Sequence, residues 1–186
     1  RVLPGRILEE LVHNDRIVGG VTQAAALRAK SLYANFVHGQ IHTSDPTTAE
    51  MVKLMENTYR DVNIALANEF SRIAVEQGID IWEAVKLANH HPRVNVLRPG
   101  PGVGGHCISV DPWFLVEVSP SVSDLIRTAR EVNDNQPAYF LEFVQKRAGS
   151  LSGRQLAVLG LSYKPNIDDL RELSLIHISE PTRLRR

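Results

Sequence analysis

The feature that most constrains the fold of this chain is the long stretch that follows Pro46 and contains neither glycine nor proline until Gly78. Proline is tolerated at the first position of a helix, and glycine is common just past the last. The pattern therefore predicts one long helix over 46–77, capped by Ser44 or Asp45. Its large apolar residues lie on more than one side, so we expect burial on several faces, with a second subunit as one candidate partner.

Four shorter elements are predicted on the amino-terminal side of this helix. Apolar periodicity predicts a helix over 7–12, a strand over 17–21, an alanine-rich helix from about 23 to His38, and a strand over 40–43. Thr22 is expected to cap the second of these helices and Gly39 to end it.

The carboxyl-terminal side reads as helices separated by a glycine- and proline-rich loop. The patterns predict a helix over 81–89, an irregular loop over 92–107, a helix over 122–148, a linker over 149–153 and a buried strand over 155–161. Pro137 must kink the last helix or start a new segment. The strand has the composition of a buried parallel strand, as at the start of an α/β domain.

Composition narrows the class of protein. The formal net charge is +0 and the hydrophobic content is 43%, which suits a packed core and gives no reason to expect a nucleic acid or a membrane as partner. The longest apolar runs are too short to span a bilayer, and no signal peptide opens the chain. Its one cysteine, Cys107, cannot form an internal disulfide, so we expect a cytoplasmic protein.

Both ends of the chain suggest an internal fragment. The sequence opens on Arg1 without a methionine. Residues 173–186 resemble the translation of a common sequencing adapter, and we exclude them from reasoning about fold and function, as one would a cloning scar.

The segment 99–112 carries the most suggestive chemistry. Its glycines allow a backbone to approach a ligand closely, and successive N–H groups could cradle phosphate or carbonyl oxygens. Cys107 could lie beside a bound substrate, and Asp111 could orient a water or accept a proton. The residues alone leave plainer interpretations open, because a lone cysteine is more often a small buried residue and a glycine-rich loop a simple connection. These glycines neither follow a strand nor open a helix, so they do not fit the dinucleotide-binding fingerprint.

A second cluster lies on the predicted long helix. Lys53 and Asn57 are four residues apart, so they share a helix face, and Arg60 follows one turn later. An ammonium and an amide directed at one oxygen would stabilise developing negative charge. A solvated helix face explains the same spacing. No set of histidine, cysteine and acidic residues has convincing metal-ligand spacing, so no metal is expected.

Three segments, in the same order as in the family, resemble the UDP-glucose/GDP-mannose dehydrogenase family. Residues 104–111 match its active-site signature Gly-Gly-x-Cys-x-Pro-x-Asp, except that Ser109 replaces the proline. Residues 49–58 and 160–172 resemble its other two signatures. Residues 1–5, 91–95 and 99–102 are most similar to the branch that oxidises UDP-N-acetylmannosamine.

The resemblance implies an α/β parent enzyme with two Rossmann-like domains joined by a helical one. Residues 1–45 would end the NAD-binding domain, 46–150 would form the central dimerisation and substrate domain, and 151–172 would begin the UDP-binding domain. The chain itself would be mostly α-helical with a few short strands. A homodimer through the helix 46–77 is also implied.

The implied activity is a four-electron oxidation of UDP-N-acetyl-D-mannosamine at C6 by two NAD, in bacterial surface polysaccharide biosynthesis. Cys107 would form a thiohemiacetal and then a thioester, Lys53 and Asn57 would stabilise the C6 oxygen, and Asp111 would assist the hydrolytic water. Further substrate contacts would come from Arg1, Val2, Arg60, His91, Arg93, Gly104, Tyr163 and Lys164. Arg171 would reach the NAD phosphates. The NAD fingerprint is not found here and the catalytic glutamate of the family would precede Arg1, so we expect the 186-residue chain alone to be inactive.

Alternatives remain at this point. The same enzyme class could act on UDP-N-acetylglucosamine or UDP-glucose. The chain could instead be a non-catalytic helical dimerisation module, or Cys107 could be a redox-sensing thiol.

Overall fold

The computed structural model of the protein describes residues 5–105, 107–155 and 157. These residues form six helices and one two-stranded sheet, so the described chain is mostly α-helical, as predicted. The elements are α1 (Ile7–His13), β1 (Arg16–Gly19), α2 (Gln23–Tyr33), β2 (Ile41–Ser44), α3 (Pro46–Gln77), α4 (Ile81–Ala88), α5 (Asp111–Val118) and α6 (Asp124–Ala148). Their contacts divide the described chain within α3, into a unit of residues 5–56 and a unit from residue 57 onwards.

The first unit is built on a β–α–β arrangement. β1 and β2 pair in parallel, from Arg16 opposite Ile41 to Gly19 opposite Ser44, and α2 connects them and packs against both. Both predicted strands are present, although β1 ends at Gly19 instead of residue 21. Thr22 caps α2 as expected, because its hydroxyl accepts the N–H of Ala25 at 3.1 Å.

The predicted end of α2 was wrong. The helix stops at Tyr33, five residues before His38. The Asn35 amide donates to the carbonyls of Ser31 and Leu32 at 2.9 and 3.0 Å, which satisfies two of the orphan acceptors of a helix end. The chain then turns to bury Val37, so tertiary packing ends the helix before Gly39 does.

The long helix begins and ends as its sequence predicts. The Asp45 carboxylate accepts the N–H of Thr48 at 2.9 Å, which makes Asp45 the cap. Gly78 follows the last helical residue with φ +67°. Ile79 N–H donates to the Ala74 carbonyl at 2.8 Å and Gly78 N–H to that of Val75 at 3.4 Å. These are the two hydrogen bonds of a Schellman motif, which requires a left-handed residue and therefore favours glycine.

The faces of α3 differ in the residues they bury. Seven large apolar side chains of α3 are exposed within this chain, and Val75 lies on the side opposite to the other six: Met51, Met55, Tyr59, Leu66, Phe70 and Ile73. At about 100° per residue these six fall within one arc of about 100°, which we call the α3 stripe. The buried positions of α3 are instead small or polar. Buried positions of α3 lie on more than one side, since Ala67 and Ala74 are buried away from the face of Asn57, Asp61 and Asn68, whereas the α3 stripe is exposed within this chain.

One helix of the second unit was unforeseen, and one of two expected outcomes at Pro137 is excluded. Residues 111–118 form a helix, α5, that we did not predict; Asp111 and Pro112 open it, which suits a helix start, and it packs on α6. The helix α6 runs without interruption through Pro137, so no new segment starts there. The prediction of α4 is confirmed, with Asp80 as its cap.

Two predictions fall outside the description of the chain. The strand over 155–161 lies almost wholly on residues that are not described, and so does the tail 173–186. In the part of the chain that is described, no helix is both long and apolar enough to cross a membrane.

Charged and amide side chains connect α3 to α6 inside the second unit. Asp61 and Arg130 are 0% and 2% exposed, and their carboxylate and guanidinium are 2.5 Å apart. Asn133 donates to the Asp61 carboxylate at 2.9 Å and to its backbone carbonyl at 3.0 Å, and Arg130 also binds Asp134. Burial raises the pKa of the Asp61 carboxyl above its ordinary value, although the charge of Arg130 and the hydrogen bonds from Arg130 and Asn133 oppose the shift.

Removing the cation should therefore destabilise this unit strongly. We expect Arg130→Met to lower the free energy of unfolding by about 3–5 kcal/mol near pH 7, because it leaves the Asp61 carboxylate buried without its cation. The pKa of Asp61 would then rise further, so the folded state would bind a proton that the unfolded state lacks. Stability would rise as the pH falls, and the loss should shrink between about pH 7 and about pH 5.

Urea unfolding followed by circular dichroism would measure this effect. Arg127→Met is the matched control, since Arg127 lies on the same helix with its side chain 38% exposed. An equal loss in both variants, or a loss that grows as the pH falls, would contradict the interpretation.

Candidate functional site

Cys107 lies in the turn that leads directly into α5. It is exposed and carries a free thiol. Its carbonyl accepts the N–H of Asp111 at 2.8 Å and that of Val110 at 3.2 Å. The backbone of the thiol-bearing residue is thus bonded to the first residue of α5, and both residues belong to one compact turn.

Asn57 and Asp111 are brought into contact from 54 positions apart in sequence. The Asn57 amide, on α3, donates to the Asp111 carboxylate at 2.5 Å. Asn57 is 5% exposed, and Asp111 is half-buried at the amino terminus of α5, where a negative charge is favoured. Three of the predicted catalytic residues, Asn57, Cys107 and Asp111, therefore cluster in the second unit.

The glycine-rich segment before Cys107 is held at two points. Gly100 donates its N–H to Asn68 at 2.8 Å and accepts from Gln136 at 3.1 Å. At the other end, Gly105 adopts φ +87°, and its carbonyl accepts the Ser109 hydroxyl at 2.8 Å. Ser109, which replaces the family's proline, thus restrains the turn by a hydrogen bond.

The predicted cationic residues of α3 are both exposed. Lys53 lies one helical turn before Asn57 and lines a cavity of about 470 Å³ in the first unit, together with Arg16, Tyr33 and Glu56. Arg60 lies one turn after Asn57. Neither position is a buried structural one, so both side chains are accessible to a ligand.

His91 and Arg93 lie in the loop after α4 and are exposed. The Asn89 amide closes this loop by donating to the Val96 carbonyl at 3.0 Å and accepting the Val96 N–H at 2.7 Å. Within the loop, the Arg93 N–H donates to a ring nitrogen of His91 at 3.3 Å. Asn89 therefore restrains the backbone of the loop that carries Arg93.

Several predicted residues lie outside the described chain. They are Arg1, Val2, Tyr163, Lys164 and Arg171. Gly104 is described and half-buried. Across residues 5–105, 107–155 and 157, no three histidine, cysteine or acidic residues are grouped so that they could hold a metal ion.

The sequence did not lead us to the residues that support the site. Asn68, Gln136, Ser109 and Asn89 all bind backbone groups of the loops that carry predicted site residues. A signal was present for Asn68, since Asn57, Asp61, Asn68 and Arg72 fall on one helix face of about 60°. A polar helix face is normally exposed, so the spacing by itself did not indicate a buried one.

Comparison with known proteins gives a family. The sequence model of the central domain of the UDP-glucose/GDP-mannose dehydrogenase family matches residues 47–135. This range contains α3, α4, α5 and part of α6, with Asn57, Cys107 and Asp111.

Individual relatives agree with that match. A UDP-N-acetyl-D-mannosamine dehydrogenase of Methanocaldococcus jannaschii is 61% identical over 172 residues, covering 92% of this chain and 40% of the relative. An NDP-N-acetyl-D-galactosaminuronic acid dehydrogenase of Ralstonia solanacearum is 56% identical over 178 residues, covering 96% and 42%. The chain thus spans about two fifths of the length of these curated relatives.

A solved structure also superimposes closely. The UDP-D-ManNAc dehydrogenase of Pyrococcus horikoshii aligns with a TM-score of 0.90 at 49% identity, covering 99% of this chain and 45% of that one.

The Asn57–Asp111 contact can be tested without any substrate. In a double-mutant cycle with Asn57→Ala and Asp111→Ala, we expect a coupling free energy of about 1–2 kcal/mol, the range for a charge-assisted bond with one partly exposed partner. Urea unfolding of the four proteins would measure it. Asn63→Ala is the control for Asn57→Ala, because the Asn63 amide donates to the Tyr59 carbonyl of its own helix. Strict additivity of Asn57→Ala and Asp111→Ala would argue against the contact.

Proposed function

We propose that this chain, which belongs to the UDP-glucose/GDP-mannose dehydrogenase family, supplies the catalytic cysteine of an NAD-dependent nucleotide-sugar 6-dehydrogenase. Its residues 47–135 match the central domain of that family, and a relative is 61% identical. One structural observation carries this proposal. An exposed thiol at Cys107 lies in the same turn as the Asp111 carboxylate, which a buried amide from α3 holds at 2.5 Å.

The proposed role of Cys107 is covalent. Its thiolate adds to the carbonyl carbon of the C6 aldehyde, and the carbonyl oxygen takes up a proton to give a thiohemiacetal. Loss of a hydride and a proton from that adduct gives a thioester, which water cleaves to the carboxylate and the free thiol. A thiol suits both steps because thiolates are strong nucleophiles and good leaving groups.

Asp111 is proposed to act on the water that cleaves the thioester. A carboxylate that accepts a proton from the attacking water makes it a better nucleophile. The bond from Asn57 supports this role, since it holds the Asp111 carboxylate in place beside the turn of Cys107.

Asn57 and Lys53 are proposed to stabilise the C6 oxygen. A side-chain amide is an N–H donor, which suits it to an oxygen that develops negative charge. Lys53 lies one turn earlier on the same helix, and its ammonium would add a positive charge near the oxygen. Arg60, His91, Arg93 and Gly104 are proposed to bind the nucleotide sugar, with the Arg93 guanidinium suited to a diphosphate.

NAD would accept the hydrides, yet the turn after β1 does not fit its pyrophosphate. Turns between a strand and a helix bind dinucleotides when their glycines leave room for the pyrophosphate. After β1, the added Cβ of Gly19 would lie 2.8 Å from Pro46 Cα and that of Gly20 2.3 Å from the Ala26 nitrogen. These glycines serve packing within the first unit, so we assign no described residue to the cofactor; the proposed contact, Arg171, lies outside the described chain.

The proposed parent architecture has two Rossmann-like domains around a helical one. Residues 1–45 would belong to the NAD-binding domain, 46–150 to the central domain and 151–172 to the UDP-binding domain. The parallel pair β1–β2 with its connecting helix supports the first assignment, because this is the repeating unit of such sheets. A role in surface polysaccharide biosynthesis follows only from the chemistry of the proposed product.

The proposed substrate is UDP-N-acetyl-D-mannosamine. The name of a relative at 61% identity supports it, and the Pyrococcus structure carries the same activity in its name. A relative named for N-acetyl-D-galactosaminuronic acid is 56% identical. A substrate test should therefore include the nucleotide-linked N-acetylgalactosamine sugar beside UDP-N-acetylglucosamine and UDP-glucose.

A homodimer through α3 is also proposed. The α3 stripe extends over about 33 Å at 1.5 Å per residue, and contiguous exposed apolar surface of this extent usually marks an interface. A second copy would bury it by placing two such helices side by side.

The proposed activity can be tested by replacing the matching part of the Methanocaldococcus relative with residues 1–172 of this chain. We expect this chimera to produce NADH from UDP-N-acetyl-D-mannosamine and NAD, and Cys107→Ser to lower the complete oxidation by at least about 10³-fold, because the thioester cannot form. Absorbance of NADH and chromatography of the sugar acid would measure both.

Ser121→Ala, an equally small change at an exposed position, is the control for that experiment. Complete oxidation by Cys107→Ser would favour a non-catalytic dimerisation module. A rate that responds to oxidant while Cys107→Ser still turns over would favour a redox-sensing thiol.

The α3 stripe gives a separate prediction. We expect the chain to be dimeric by light scattering coupled to size exclusion, and Phe70→Glu to shift it to the monomer, because a charge would be buried at the interface. Glu76→Gln, at an exposed position of the same helix outside the stripe, should leave the dimer unchanged. A monomeric parent chain, or a dimer that tolerates Phe70→Glu, would refute this interface.

A further inference from the structure

The glycine-rich segment 99–105 is hydrogen-bonded to two helices at Gly100. Because prolines flank it, Gly100 has the sole backbone N–H among residues 99–101. That N–H donates to Asn68 Oδ1 of α3 at 2.8 Å, and the Gly100 carbonyl accepts Gln136 Nε2 of α6 at 3.1 Å. The space beside its Cα is open, since an added Cβ at Gly100 would meet no atom within 4 Å.

The orientation of the Asn68 amide is determined by its neighbours. Asn133 donates from its nitrogen to the carbonyl and carboxylate of Asp61, at 3.0 and 2.9 Å. Its oxygen therefore faces Asn68 and accepts from Asn68 Nδ2 at 3.2 Å. Asn68 must then present its own oxygen to Gly100, which needs an acceptor for its N–H.

The Gln136 amide is oriented from the opposite side by a cation. Arg72 has donors only, and it donates to Gln136 Oε1 from two nitrogens, at 2.9 and 2.6 Å. This arrangement turns Gln136 Nε2 towards the Gly100 carbonyl. Arg72 is itself fixed by the Val132 carbonyl at 3.1 Å and lies over the Tyr139 ring, 4.9 Å from its centroid.

We propose that Asn68 and Gln136 are positioning residues that hold the segment 99–105, and with it the turn of Cys107. Two hydrogen-bond relays end on this one glycine: Asp61–Asn133–Asn68 supplies an acceptor, and Arg72–Gln136 supplies a donor. A purely helix–helix role would need no partner in the loop. Gln136 is 4% exposed, so water is a poor substitute when either bond is lost. The inference deepens the proposed function, because it names residues that would place the nucleophile.

The variant Gln136→Glu distinguishes the contact of Gln136 with the loop from its contact with α3. A carboxylate can still accept from Arg72, so the link between α3 and α6 is kept. It cannot donate to the Gly100 carbonyl, which would face a second acceptor. We expect amide hydrogen exchange in peptides over 98–105 to accelerate at least about tenfold, the scale of one lost buried hydrogen bond, with exchange in α3 and α6 unchanged.

Asn135→Asp is the matched control, since it makes the same chemical change one residue away. The Asn135 amide donates to the Glu131 carbonyl of its own helix at 2.8 Å, so exchange over 98–105 should stay as in the parent chain. No acceleration in Gln136→Glu, or one that spreads equally through α3 and α6, would overturn the inference.

Arg72 variants supply a second test that leaves Gln136 intact. Arg72→Met removes the cation that orients the amide, so exchange over 98–105 should again accelerate. Arg72→Lys keeps a donor for Gln136 Oε1 and should restore most of the protection. Equal exchange in the two variants would overturn the relay, and this pair decides the question if Gln136→Glu does not fold.

Exchange on the 186-residue chain does not depend on any enzymatic activity. Local acceleration together with a chimera that forms no NADH would support the positioning role and reject the proposed dehydrogenase. NADH formation without local acceleration would support the enzyme and reject the positioning role.

Discussion

The structure of the second unit depends on the buried ion pair between Asp61 and Arg130. A buried charge is tolerated when it is paired and hydrogen-bonded, and here Asn133 supplies two further bonds to Asp61. This pair links α3 to α6 at positions 69 residues apart. Further along α3, Asn68 and Arg72 also bind α6, at Asn133, Val132 and Gln136.

Side chains on the same helix faces also hold the candidate site. Asn57 lies one turn before Asp61 on α3 and reaches Asp111, while Asn68 and Gln136 reach Gly100 from the other end. The loop between these anchors carries Cys107. A glycine-rich loop is thereby attached to helices on both sides, which is the arrangement that a positioned nucleophile requires.

Local elements were predictable where their signals are local. The cap at Asp45, the Schellman end at Gly78 and both short strands follow from residues a few positions apart. The prediction was wrong where distant packing decides, as at the end of α2, where the chain turns to bury Val37. The helix α5 was not foreseen because it starts inside a loop rich in glycine and proline. Of the candidate site, the sequence named Asn57, Cys107 and Asp111 but none of the residues that hold the loop.

The sequence by itself determined the long helix, the spacing of Lys53 and Asn57, and a lone thiol four residues before a carboxylate. Helical periodicity and chain connectivity are enough for each of these. Only the tertiary structure decided which face of α3 is buried. The large apolar residues of the α3 stripe are exposed whereas Asp61 and Asn68 are buried, because the partners of Asp61 and Asn68 are supplied by α6 and by Gly100. Such partners come from far along the chain, so a local sequence pattern does not predict them.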